Sequence, residues 1–207
     1  MKKLVLVGGT GAVGQELLKH IDTSEYSVRV TSSKDYDVTG VYPFPEELED
    51  ADIVVNLAAV TQNNLLAEFF PRTRHTIDVN CLGAVTVLGD FLPHMVKRGY
   101  GRIILMSSIY STMSVDGQGV YCASKAFVDR LAKTAAMESS WAGVTVNSIQ
   151  LGFTGIGMGE MPDPEKALRK VALRRYCKIE ELWQTMEFII KTEYITGQNI
   201  RLDGGTK

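Results

Sequence analysis

The 207 residues are enough for one domain with a full core, and 45% apolar residues with mixed charge are ordinary for a globular protein. A net charge of −2 and a pI near 6.0 leave no electrostatic footprint for nucleic acid or an anionic membrane surface, so neither is an expected partner. Cys81, Cys122 and Cys177 are scattered without metal-ligand spacing, as are His20, His75 and His94, so no metal is expected and a reducing cytoplasm suits the chain.

The opening Met-Lys-Lys-Leu-Val-Leu-Val run is too short for a signal peptide's apolar region or a spanning helix. It leads into Gly8-Gly-Thr10-Gly11-Ala12-Val13-Gly14, and Gln15 to Ile21 has helical spacing of its apolar residues, which predicts strand, glycine turn and helix. Glycines let a backbone turn tightly and approach a pyrophosphate, whose charge the following helix end attracts. The position of this turn, between a clear strand and a clear helix, favours dinucleotide binding over a structural turn.

Ser27 to Thr31 reads as a second strand, whose end would face an adenosine ribose. The residues there are Ser32, Ser33 and Lys34 with no carboxylate at the strand end, which favours a 2′-phosphate, hence NADP over NAD; Asp35 nearby leaves NAD possible. Too few residues separate this strand from Asp37-Val38 and the acidic stretch Glu46 to Asp52 for a full crossover, so that edge of the sheet is expected to be trimmed.

Ile53 to Ala59 is a strong strand ending in small residues, and Leu65 to Asp90 has helical spacing interrupted by Pro71, with Asn80 in its second half. Phe91 to Val96 continues a helix that Gly99 breaks, and Arg102 to Met106 reads as a buried strand. Val144 to Ile149 and Thr196 to Leu202 are further strands, and Glu180 to Ile190 is a helix. The glycine-rich exit Gln150 to Pro164, with Phe153, Ile156, Met158 and Met161, has the composition of a lid. Strands alternating with helices along residues 1–207 predict a single-domain, doubly wound parallel α/β sheet.

The chemistry is expected between Ser107-Ser108 and Tyr121-Cys-Ala-Ser-Lys125. Ser108 would project from a strand's carboxyl end, where open α/β sheets bind ligands. Tyr121 and Lys125, four apart, share one helix face, and a lysine cation would lower a phenol that ordinarily titrates near ~10. A Tyr-x-x-x-Lys pair alone is also common on helix surfaces.

Taken in order, the glycine turn, Asp37-Val38, Asn56-Leu-Ala58-Ala59, Asn80, Ser108, Tyr121, Lys125 and the terminal Ile195-Thr-Gly-Gln with Leu202-Asp-Gly-Gly205 closely resemble the short-chain dehydrogenase/reductase superfamily over nearly the whole chain. The resemblance implies a Rossmann-like fold and hydride transfer between NADP(H) and a small carbonyl or alcohol substrate. Tyr121 would be the general acid or base, Ser108 would hold the carbonyl oxygen, and Lys125 would lower the Tyr121 pKa and bind the nicotinamide ribose. Asn80 would support a water and proton path to Lys125. Cofactor contacts would come from Gly8, Thr10, Gly11, Ala12, Val13 and Gly14, from Ser32, Ser33, Lys34, Asp37 and Val38, and from Asn56, Ala58 and Ala59. Tyr121, Lys125, Gly152, Phe153 and Thr154 would complete that set. A homo-oligomer, dimer or tetramer, is implied as well. The sequence departs from the family pattern in having Ala12 for a middle glycine, Ala59 for a glycine and Leu151 for the proline before Gly152. A non-catalytic dinucleotide-binding regulator and a sugar-nucleotide epimerase or dehydratase are the alternatives. The intact Ser108, Tyr121, Lys125 and Asn80 set argues against the first, and the short carboxyl-terminal region against the second.

Overall fold

The computed structural model describes residues 1–40, 43–61, 63, 65–67, 71–160 and 162–207. Six strands form one wholly parallel sheet: β1 (Lys2–Val7), β2 (Tyr26–Val30), β3 (Ile53–Asn56), β4 (Gly101–Ser108), β5 (Val144–Leu151) and β6 (Asn199–Leu202), in the order β2-β1-β3-β4-β5-β6. The direction of winding reverses between β1 and β3, where the register pairs Leu4 with Ile53 and Val7 with Asn56. Such a reversal opens a crevice at the strands' carboxyl ends.

β3 and β4 are buried along their whole length, as expected of strands covered on both faces, which is why they read as continuous apolar runs. Alternate residues feed two cores. Val5, Val54, Ile103, Leu105 and Val146 pack against α3 (Gly83–Arg98) and α4 (Gly119–Ser139) through Val87, Phe91, Met95, Val128 and Ala132. Leu4, Leu6, Ile53, Val55 and Ile104 face the other way, onto Leu17 of α1 (Ala12–Leu17) and Leu182, Trp183 and Met186 of α6 (Ile179–Lys191). The stretch Thr73–Arg98 is apolar and long enough to cross a bilayer. Val87, Leu88, Phe91 and Met95 of that stretch are spent on the sheet.

The trimmed edge is present: among the described residues, no strand lies between β2 and β3. Tyr36, Phe44 and Phe91 close that corner edge to face, with ring centroids 4.9 to 6.0 Å apart, and the Tyr36 hydroxyl donates to Asp90 at 2.7 Å.

Several boundaries differ from the sequence reading. Of the helix expected from Leu65, residues 65–67 are not helical and α2 is described over Pro71–Ile77; residues 68–70 lie outside the description. α2 joins α3 through a π-helical turn, Asp78–Leu82, that contains Asn80. α1 starts inside the glycine run, and the expected lid runs into α5 (Pro164–Arg169), capped by Asp163.

Candidate active site

The glycine turn is a cradle that side chains would fill. A Cβ on Gly14 would lie 2.2 Å from the Gly9 carbonyl oxygen, so α1 can approach the turn only as it is. Gly8, at φ +70°, sits so close to the β3 exit that a Cβ would come within 2.8 Å of Ala58 Cα. Between these walls runs a cleft of about 990 Å³, at the upper end of the ~300–1,000 Å³ common for ligand pockets. Of the expected cofactor residues, Gly8, Thr10, Gly11, Ala12, Val13, Gly14, Ser33, Asp37, Val38, Ala58 and Ala59 line it. The Thr31 hydroxyl at the end of β2 is buried with no hydrogen-bond partner among the described residues. The cradle fits a dinucleotide along the β1–β3 crevice; Thr31 itself does not line the cleft.

At the adenosine side the geometry is more qualified. The Ser32 amide and hydroxyl both donate to the Asp35 carboxylate, at 3.0 and 2.7 Å, and these bonds hold that carboxyl below its ordinary range. Ser32 and Lys34 do not line the cleft; Ser33 does. Asn56 is buried and turns its Oδ1 onto the Ala58 amide at 3.1 Å, so it shapes the β3 exit from beneath.

A second cavity, of about 360 Å³, brings together Ser108, Tyr121, Lys125, Gly152, Phe153 and Thr154. Val13, Leu57, Ala59 and Met158 border both spaces, so the two adjoin. Ser108 ends β4, and its Oγ accepts from the Tyr110 amide at 3.2 Å, capping a 3₁₀ turn over Ile109–Ser111. The Lys125 ammonium donates to the Met106 carbonyl at 2.9 Å, 5.6 Å from the Tyr121 ring centroid. Asn80, 3% exposed, is fully engaged: its Oδ1 accepts from the Val60 amide, and its Nδ2 donates to the Val60 carbonyl and to Ser124 Oγ. Its side chain clamps the β3 exit to α4 and, among the described residues, makes no direct hydrogen bond to Lys125.

One electrostatic expectation is corrected. Tyr121 is not lowered by Lys125. Burial of the phenol pushes it up to about 12, opposed by the Ser108 side chain. The reason is desolvation acting on both groups, since burial also pulls Lys125 down to about 8 and turns its ammonium onto a carbonyl.

Several neighbours were not foreseen. Gly9 carries no obvious motif role, yet its carbonyl is what Gly14 packs against. Tyr110 stands edge to face with both Tyr121 and Phe153 at 6.3 Å. Thr61 donates to Gln118 at 3.0 Å, and Gln118 donates to Asn63, so the cavity mouth is polar. In the expected lid, Phe153 and Ile156 turn into the cores and Met158 borders both cavities; Met161 lies outside the described residues. Gly157 rests on the glycine turn, with its Cβ position 3.0 Å from Ala12 Cβ. Among the described residues, no group of three His, Cys, Asp or Glu is placed to hold a metal.

Comparison with known proteins places this geometry among relatives. Residues 11–207 match the family model described as Enoyl-(Acyl carrier protein) reductase. The chain is 34% identical over 160 residues to the 3-oxoacyl-(acyl-carrier-protein) reductase FabG of Staphylococcus epidermidis, covering 74% of this chain and 66% of that protein. It is 35% identical over 158 residues to the 3-oxoacyl-(acyl-carrier-protein) reductase of Synechocystis, covering 74% and 64%. The matches thus span just under two thirds of these relatives' length. The solved structure of ElxO with NADP bound superposes with a TM-score of 0.83 at 22% identity, over 99% of this chain and 98% of that one, a likeness of fold.

Proposed function

The chain belongs to the short-chain dehydrogenase/reductase family, and from that membership we propose that it is an NADPH-dependent carbonyl reductase acting on a small carbonyl compound, with the alcohol as substrate in reverse. The observation that carries the proposal is the convergence of Ser108, Tyr121 and Lys125 on one cavity that adjoins the glycine-turn cleft.

Bound NADPH supplies the hydride. As negative charge gathers on the substrate oxygen, the Ser108 hydroxyl donates a hydrogen bond to it, an interaction stronger in the transition state than in the ground state. Tyr121 then gives its proton to the nascent alkoxide, a far stronger base than a phenolate. A phenol pushed up to about 12 is reliably protonated at neutral pH, which suits the reducing direction. Lys125, held on the Met106 carbonyl at the same cavity, offers its remaining donors to the cofactor ribose, and Asn80 holds the Val60 backbone that borders the cleft. The relatives' printed activity and the bound NADP of ElxO support this choice of cofactor and chemistry. Exposed Leu82, Val85 and Phe127 on neighbouring helices support a homo-oligomer.

Parallel fluorescence titration with NADPH and NADH tests the cofactor assignment. Wild type binds NADPH more tightly, and Lys34→Ala weakens NADPH more than NADH. Equal weakening of both would remove Lys34 from phosphate recognition, and preference for NADH would assign the Ser32–Asp35 turn to a free ribose.

A further inference from the structure

A carboxylate buried without a cation lies one helical turn beyond Lys125. Asp129 is 6% exposed and Lys125 3%, and their spacing puts both on the sheet-facing side of α4. Neither takes part in a direct ion pair among the described residues. The partners of Asp129 are neutral: Oδ1 accepts from the Ser148 hydroxyl at 2.7 Å and Oδ2 from the Gln150 amide at 2.6 Å. The Gln150 amide also donates to Ser111 Oγ at 3.0 Å, and Ser111 closes the 3₁₀ turn that Ser108 caps. A chain of hydrogen bonds therefore runs from α4, across β5, to the Ser108 turn.

Burying a carboxylate among neutral donors is costly, and an apolar side chain would fill the α4–β5 contact more cheaply. What the charge supplies is visible at Lys125. Burial strips that ammonium of water, and the groups acting in favour of its charge are Cys81 and Asp129. The Cys81 thiol is itself pushed up by burial and stays neutral, which leaves the Asp129 side chain as the remaining group acting on Lys125. Tyr121 is protonated, and Asp116 and Glu160, which border the same cavity, are exposed and screened by solvent.

We propose that Asp129 is a positioning residue: its carboxylate is the buried counter-charge of Lys125, and through Gln150 and Ser111 it braces the Ser108 turn against the helix that carries Tyr121 and Lys125. The catalytic consequence rests on the reductase reading, whereas the electrostatic one does not, and the test separates them.

The test is urea unfolding across pH for wild type, Asp129→Asn, Lys125→Met and the double variant. A buried lysine whose folded pKa lies below its unfolded value leaves the unfolded chain holding the extra proton in between. Wild-type stability should therefore climb from about pH 8 to 10.5. Asp129→Asn starts that climb about one pH unit lower, and in the Lys125→Met background Asp129→Asn leaves the profile of that interval unmoved. Asp129→Leu removes the same charge with an apolar filler, should the amide be poorly accommodated. An unchanged onset, or a shift that persists without Lys125, would overturn the proposal. In turnover, the alkaline limb of kcat moves to lower pH in Asp129→Asn, and Asp129→Glu restores it. A protein with no reductase activity would refute the reductase reading while the unfolding result still decides the counter-charge.

Discussion

Tyr121→Phe cuts the turnover of a carbonyl substrate by the ~100- to 10,000-fold typical of losing a general acid, while NADPH affinity stays close to wild type. The substitution removes only the hydroxyl. The ring keeps its edge-to-face contact with Tyr110, and the glycine cradle is untouched, so binding and chemistry separate cleanly. Steady-state kinetics beside a fluorescence titration read the two effects, and undiminished turnover would remove Tyr121 from the mechanism. Because burial keeps the phenol protonated up to about 12, the alkaline limb of the reduction rate belongs to Lys125, near 8, rather than to the tyrosine.

Lys125→Met has a double effect: reductase activity is lost, and the cofactor-free protein becomes more stable. Burial shifts Lys125 from its usual 10.5 to about 8, and at ~1.36 kcal/mol per unit the buried ammonium costs roughly 3 kcal/mol near neutral pH. Methionine has similar length and no charge, and it forfeits only the hydrogen bond to the Met106 carbonyl, about 1 kcal/mol. The net gain is then ~2 kcal/mol at pH 7. It shrinks as pH rises through 8 and is gone only above 10.5, where wild-type lysine is neutral in both states and carries no penalty. Urea unfolding at pH 7 and above pH 10 measures both values. A variant less stable than wild type at pH 7 would show that the lysine is better solvated than its surroundings indicate.

The same burial marks the boundary of what the sequence could reveal. β3 and β4 were legible because strands covered on both faces are continuous apolar runs. The trimmed edge was legible from counting residues between Thr31 and Ile53. Spacing also places Ser108, Tyr121 and Lys125 at one cavity, since strand ends and helix faces follow from periodicity. The sign of the Tyr121 shift was not legible, because it depends on how much water the fold removes and on which carbonyl the Lys125 ammonium meets. Asp129 was hidden for a related reason: an acid four residues after a lysine reads as an exposed helix pair, and only β5 packing reveals that its partners are Ser148 and Gln150. Asn80 was found by its place on a helix, but its clamp on Val60 and Ser124 depends on the π-helical turn that rotates it inward, which periodicity does not encode.

The central claim is that this cavity passes hydride to a carbonyl carbon while Tyr121 protonates the oxygen. It is tested most directly by incubating the protein with NADPH deuterated at the transferable C4 position and a panel of small ketones, then weighing the alcohols by mass spectrometry. The account predicts at least one alcohol carrying a single deuterium on carbon with wild type, and its near disappearance with Tyr121→Phe. Tight NADPH binding with no deuterated alcohol from any ketone would contradict it and point to a nucleotide-binding protein without turnover.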